Sequence, residues 1–228
     1  MRLTLAASVA VLAALVAGVG GSTAAAPNGV ELKTAGQILT ASRAAVAQAA
    51  TVHIVGTIAD KGGPITLNLK LINSKVGVGR LSVGGATFNI IRIGNTLYLK
   101  ADRKFLEANG GAAAVKVLAG RWFKVSTAVH DFKDIAPLTD LVQLVDAVLG
   151  THGKLALGSH VTIGGRPAIA LVDTSEGGTL YVATTGPPYP LELKGTKGQG
   201  EIKFESWDTA VTVLPPTNAL DFSKVTGG

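Results

Sequence analysis

The chain has no cysteine in its 228 residues. That absence excludes a disulfide scaffold, thiolate-bound zinc, iron–sulfur ligation and a cysteine nucleophile together. It also excludes lipid attachment through a cysteine thioether. Aromatic residues are scarce, with two Trp, three Tyr and six Phe, and there is a single Met. The core must therefore be built from aliphatic side chains. Charged residues make up only 16%, against about a quarter in ordinary globular chains. The basic residues form no run of four, and no basic stretch is interleaved with aromatics, so a nucleic-acid partner is not expected. The net charge of +6 suits anionic headgroups or wall polymers, as a weak signal.

Hydrophobic residues are abundant at 47%, and they are unevenly placed. Residues 1–26 hold 18 of them, in a stretch that goes from Arg2 through an apolar run from Leu3 to Val19 to Gly-Gly-Ser-Thr-Ala-Ala-Ala. This is the layout of an export signal, with small residues around a cleavage point after Ala24 or Ala25. The run is too short and too rich in alanine for a comfortable membrane span. The expected organisation is an export signal over 1–26, a linker over 27–33 and one domain over 34–228.

Within the domain the period of hydrophobicity changes twice. Thr34 followed by Gln37 predicts a capping box, and Ile38, Leu39, Ser42, Val46 and Ala49 share one helical face. A period of two then predicts strands over 52–58, 65–71, 76–83, 86–93 and 96–100, with Gly84-Gly85 and Gly94-Asn95 as hairpin turns. The stretch 102–118 carries Gly110 and Gly111 and reads as a broken helix. A short extended piece over 121–125 bears Trp122. A clearer helix follows over 139–149, with the stripe Leu141, Leu144, Val145 and Val148. Strands resume over 155–163, 166–173, 179–183, 191–194, 200–206 and 210–214. The pattern predicts an α+β fold: one large curled antiparallel sheet with helices covering one face. Slim helices on a curled sheet either fill its concave face or leave room there for an apolar cavity.

No catalytic constellation is visible. His53, His130, His152 and His160 lack the spacing of a metal motif, no G-x-S-x-G occurs, and Gly77-Val78-Gly79 lacks the third glycine of a nucleotide loop. Asp131, Asp134, Asp140 and Asp146 read as capping and solvent-facing groups. The expectation is a binding protein, with no enzyme activity, no metal and no cofactor.

Several short stretches are more specific. They include Thr51-Val52-His53-Ile54 after the alanine-rich helix, Asn95-Thr96-Leu97-Tyr98-Leu99-Lys100, and Gly120-Arg121-Trp122-Phe123-Lys124-Val125. Further along come Gly164-Gly165-Arg166-Pro167-Ala168, Gly178-Thr179-Leu180-Tyr181-Val182-Ala183, Thr185-Gly186-Pro187-Pro188-Tyr189-Pro190-Leu191 and Ile202-Lys203-Phe204-Glu205-Ser206-Trp207. This succession resembles the actinobacterial LppX/LprA/LprF/LprG lipoprotein family. The resemblance implies a LolA/LolB-like half-barrel around a hydrophobic cavity, exported to the cell envelope and either held at the outer face of the cytoplasmic membrane or secreted. It implies a carrier that binds lipids or glycolipids, meets a membrane surface and works with an inner-membrane lipid exporter; the expected state is a monomer.

Candidate lining residues are Leu67, Leu69, Leu71, Leu97, Leu99, Leu141, Leu144, Val145 and Val148, for each of which plain core packing is an equal reading. Tyr189, Pro190 and Trp207 read as structural. One departure stands out: Leu15-Val16-Ala17-Gly18 is followed by Val19 where the family's lipobox has its acylated cysteine, so no lipid anchor forms there. The alternative function is a secreted or wall-associated structural or interaction protein that keeps the fold without lipid transport.

Overall fold

The computed structural model describes residues 25–223, apart from 60, 130, 131, 133, 134, 151 and 197. Residues 1–24 of the expected export signal, Val19 among them, and His130, Asp131 and Asp134 lie outside the described residues.

Helix α1 (Ala35–Gln48) begins where the sequence signals it. The Thr34 side chain accepts a hydrogen bond from the Gln37 backbone N–H, and the Gln37 side chain accepts one from Thr34. These reciprocal bonds satisfy donors that a helix start otherwise leaves open. Its buried face is Ala35, Ile38, Leu39, Ser42 and Val46. Five antiparallel strands follow as a meander: β1 (Thr51–Ile58), β2 (Ile65–Ile72), β3 (Val76–Val83), β4 (Ala86–Ile93) and β5 (Thr96–Ala101). Gly84 and Gly85 both take positive φ (56° and 79°), as a tight two-residue hairpin turn demands. Helix α2 (Arg103–Leu118) is capped by Asp102 and kinks at Gly111 (φ 64°, ψ −164°), which is the break anticipated from its glycine pair.

After β6 (Phe123–Ser126), a 3-10 turn over Pro137–Thr139 leads into helix α3 (Leu141–Gly150). Five further strands follow: β7 (Leu155–Ile163), β8 (Arg166–Asp173), β9 (Thr179–Ala183), β10 (Pro190–Lys194) and β11 (Gly200–Glu205). A two-residue β12 (Leu220–Asp221) pairs in parallel with β6. Because β1 pairs with β11 as well as β2, the two meanders fuse into one unclosed sheet. Its twelve strands run in the order β12-β6-β5-β4-β3-β2-β1-β11-β10-β9-β8-β7. All ladders except β12–β6 are antiparallel, and helices cover the inner face.

The strand expected over 210–214 does not form. Both edges of β11 are already paired, with β1 and β10, so an alternating pattern just beyond it has no free ladder to join. Ser206 and Asp208 also take positive φ (49° and 56°), which turns the chain out of the sheet, and Pro215-Pro216 supply no N–H. The edge place goes to β12 instead.

Inward residues alternate as the period of two requires. Leu67, Leu69, Leu71, Leu81, Ile90, Leu97 and Leu99 are all at most 1% exposed. Gly77 lies on this face, where a Cβ would stand 2.9 Å from Leu71 Cδ2 and 3.4 Å from the Thr139 carbonyl oxygen. The missing side chain lets the 3-10 turn before α3 sit directly on β3.

The far end of the sheet is closed by an aromatic lock. Tyr189 and Trp207 stack with ring centroids 4.2 Å apart, and Trp207 donates from Nε1 to the Pro190 carbonyl at 3.1 Å. The Tyr189 hydroxyl donates to Asp208 Oδ2 at 2.6 Å, while Asp208 Oδ1 accepts from the Ala50 N–H at 2.8 Å. Burial first, and the Asp208 carboxylate second, push the Tyr189 phenol up from 10.0 to about 12. A phenol whose folded pKa is raised contributes stability that is complete below the unfolded value and lost as pH rises through the folded one. Urea midpoints should therefore fall between pH 10 and 12. Tyr189→Phe should remove that alkaline dependence and cost about 1.5–3 kcal/mol at pH 7 through the lost charged hydrogen bond. An unchanged alkaline slope in Tyr189→Phe would refute the assignment.

Candidate ligand cavity

At the opposite end of the sheet lies a cavity of about 590 Å³. Here β1, β8 and β10 finish while β7, β9 and β11 begin, so Ala59, Glu176, Gly177, Gly178, Gly195 and Gln199 meet at one rim. Strand-end residues Ile58, Leu155, Leu171, Leu180, Leu193 and Ile202 form the sheet wall. Helices supply the facing wall, with Leu39 from α1 and Leu144, Ala147, Val148 and Leu149 from α3, and Leu138 from the turn before it. All of these deep walls are aliphatic.

The rim is polar. Thr57, His152, Asp173, Glu176, Thr179, Lys194, Gln199 and Glu201 line it beside Gly177, Gly178, Gly195 and Gly200. Gly200 (φ +102°) approaches β1 so closely that a Cβ would fall onto the Thr57 carbonyl. Only glycine fits there, both by space and by backbone conformation. Asp173 braces the rim by accepting backbone N–H bonds from Glu176 (2.9 Å), Gly153 (2.6 Å) and Ser175 (2.9 Å). Those bonds hold its carboxyl below the usual carboxylate range, with a smaller contribution from His152, because they stabilise the ionised form. The Lys194 ammonium sits 2.5 Å from Glu192 Oε1, and this hydrogen bond and charge raise its pKa. Glu201 pairs with Lys203 at 3.1 Å.

The expected lining residues divide between two places. Leu144 and Val148 line the cavity. Leu67, Leu69, Leu71, Leu97, Leu99, Leu141 and Val145 lie in the packed core and are not among its walls. Leu39 is expected only on the buried face of α1, and the strand residues Ile58, Leu155, Leu171, Leu180, Leu193 and Ile202 are absent from the expected lining. Their shared signal is an apolar side chain at a strand end beside a glycine-bearing turn.

Groups that carry chemistry elsewhere are engaged structurally. Asp140 accepts from the Gln143 N–H at 3.0 Å, capping α3, and Asp146 pairs with Arg43 at 3.4 Å. His53 bonds Asn68 Oδ1 at 3.0 Å. Among the described residues, no group of three His, Asp or Glu side chains is placed to hold a metal ion. No described helix is long and apolar enough to cross a membrane.

No protein-family model matches the chain, and no curated protein matches it. Solved structures do match. The lipoprotein LppX of Mycobacterium tuberculosis is 13% identical with a TM-score of 0.46, over 78% of this chain and 98% of that one. LprF from Mycobacterium bovis is 17% identical with a TM-score of 0.55, over 80% of this chain and 96% of that one. The likeness to LprF is one of fold: a single large unclosed sheet with a few helices, the architecture that the sequence resemblance implied.

Proposed function

We propose that this protein is an extracytoplasmic carrier that binds lipids or glycolipids in the cavity and helps transfer them across the cell envelope, without covalent chemistry. The observation that carries this reading is the division of the cavity into aliphatic walls and a polar rim. That division matches an amphiphile, whose chains leave water while its headgroup stays in it. Each buried methylene contributes about 0.8 kcal/mol, so a chain of roughly fifteen methylenes gains on the order of 12 kcal/mol before its ordering cost. Such a gain supports binding without any specific polar contact, in keeping with walls that carry none.

Loading and release need a moving wall. Helix α3 is the candidate, because it forms one side of the cavity and is joined to α1 near its middle by the partly exposed Arg43–Asp146 pair. A membrane surface would supply the ligand, and an inner-membrane exporter as partner rests on the family resemblance alone. Native mass spectrometry of protein purified gently from an actinobacterial host tests the reading. We expect adducts of lipid mass that disappear on organic extraction; protein free of lipid and unable to take any up would overturn it.

A further inference from the structure

The rest of the inner face bears on how much lipid the cavity takes. Beyond the cavity, the sheet is filled by its own side chains: Leu67, Leu69, Leu71, Leu81, Leu97 and Leu99 are at most 1% exposed. Phe123, Phe132 and Phe222 cluster with ring centroids 5.1–6.2 Å apart, closing the β6 side. The 3-10 turn seated on Gly77 closes the space between β3 and α3. The cavity that these groups leave at the turn-lined end measures about 590 Å³, its polar rim included.

That volume sets a number of carbons. An apolar cavity of about 150 Å³ holds one benzene, roughly 25 Å³ per carbon. On that scale the 590 Å³ cavity takes about 24 carbons. One acyl chain of about 16–18 carbons fits with room for the ester neck, whereas two such chains need about 32–36 and exceed it.

The rim adds a constraint on the headgroup. Of its lining side chains, Glu201 is offset by Lys203 and Lys194 is paired with Glu192, which leaves the carboxylates of Asp173 and Glu176 to set the sign of the rim. A free carboxylate entering there meets like charge and no unengaged ammonium among the lining residues.

We infer that the cavity admits a single acyl chain, and that its ligand is a monoacyl lipid with an uncharged or zwitterionic headgroup rather than a diacyl lipid or a free fatty acid. This rests on the carrier reading and deepens it.

The test is native mass spectrometry and competition with a fluorescent fatty-acyl probe, using delipidated protein. Three ligands are compared: 1-palmitoyl-lysophosphatidylcholine, dipalmitoylphosphatidylcholine and palmitate, each at pH 7.5 and below its aggregation concentration. Val148→Trp, whose indole projects across the cavity from α3 toward the sheet wall, is the blank for surface binding. We expect one lysophosphatidylcholine per protein, bound at least tenfold more tightly than either of the others. Equal or tighter binding of the diacyl lipid, blocked in Val148→Trp, would overturn the single-chain inference while leaving the carrier reading standing. Equal or tighter binding of palmitate would overturn the headgroup assignment. Binding of none of the three would overturn the carrier reading, and the inference with it.

Discussion

A Val148→Trp variant is expected to lose at least tenfold in lipid occupancy while remaining as stable as the parent, or more so. Val148 is half-buried on α3 and faces the cavity, so an indole grows into open apolar space rather than into packed neighbours. Filling a cavity commonly adds stability, and the space it takes is the space an acyl chain would occupy. Leu69→Phe is the matched control. Leu69 is 0% exposed in the packed core, where added volume forces neighbours off their rotamers at a cost of about 1–3 kcal/mol. That variant should lower the urea midpoint and leave lipid occupancy per folded molecule unchanged.

The two measurements move in opposite senses only if the cavity is where lipid sits. A protein that kept the fold without transport would show the Leu69→Phe destabilisation, but Val148→Trp would alter no bound species. Lipid retained at parental occupancy by folded Val148→Trp would place binding elsewhere and remove the cavity from the carrier reading.

Leu69 and Leu144 also mark the boundary of what the residue pattern reveals. Both are apolar at the correct period for their element, and both are nearly inaccessible. Alternation at Leu67, Leu69 and Leu71 identifies the strand and its inner face, and Thr34 with Gln37 identifies the start of α1. Which apolar residues face a void depends on what lies opposite. Leu71 is covered because Gly77 admits the turn before α3, an event between segments about sixty residues apart. Leu180 and Ile202 face space because the turns at 174–178 and 195–199 leave the sheet end open. No local pattern encodes either outcome. The stretch 210–214 shows the converse: its alternation is genuine, but neighbouring strands already occupy the edges it would need.

The largest loss of stability is expected from Arg92→Met. Alternation places Arg92 on the inner face of β4 with Phe88 and Ile90, and it is only 6% exposed. Its Nε donates to the Gly94 carbonyl at 3.0 Å and its Nη1 to the Ala136 carbonyl at 2.9 Å. The same Nη1 stands 3.9 Å from Asp140 Oδ2. The guanidinium thus ties β4 to the segment that launches α3, with its charge balanced by a carboxylate that is itself buried. Removing one partner of a buried pair leaves the other uncompensated and costs about 3–5 kcal/mol, a fall of roughly 6–20 °C in Tm for a chain of this size. Arg92→Met combined with Asp140→Asn should recover part of that loss, because asparagine still caps the Gln143 N–H and no buried charge remains. Strict additivity of the two substitutions in thermal or urea unfolding would show that the pair is not coupled. Because α3 also forms a wall of the cavity, loosening its N-terminal tie should raise the rate of lipid exchange in Arg92→Met. The double variant should bring that rate back toward the parent, in step with its stability. An exchange rate indifferent to both substitutions would mean that the cavity opens without moving α3.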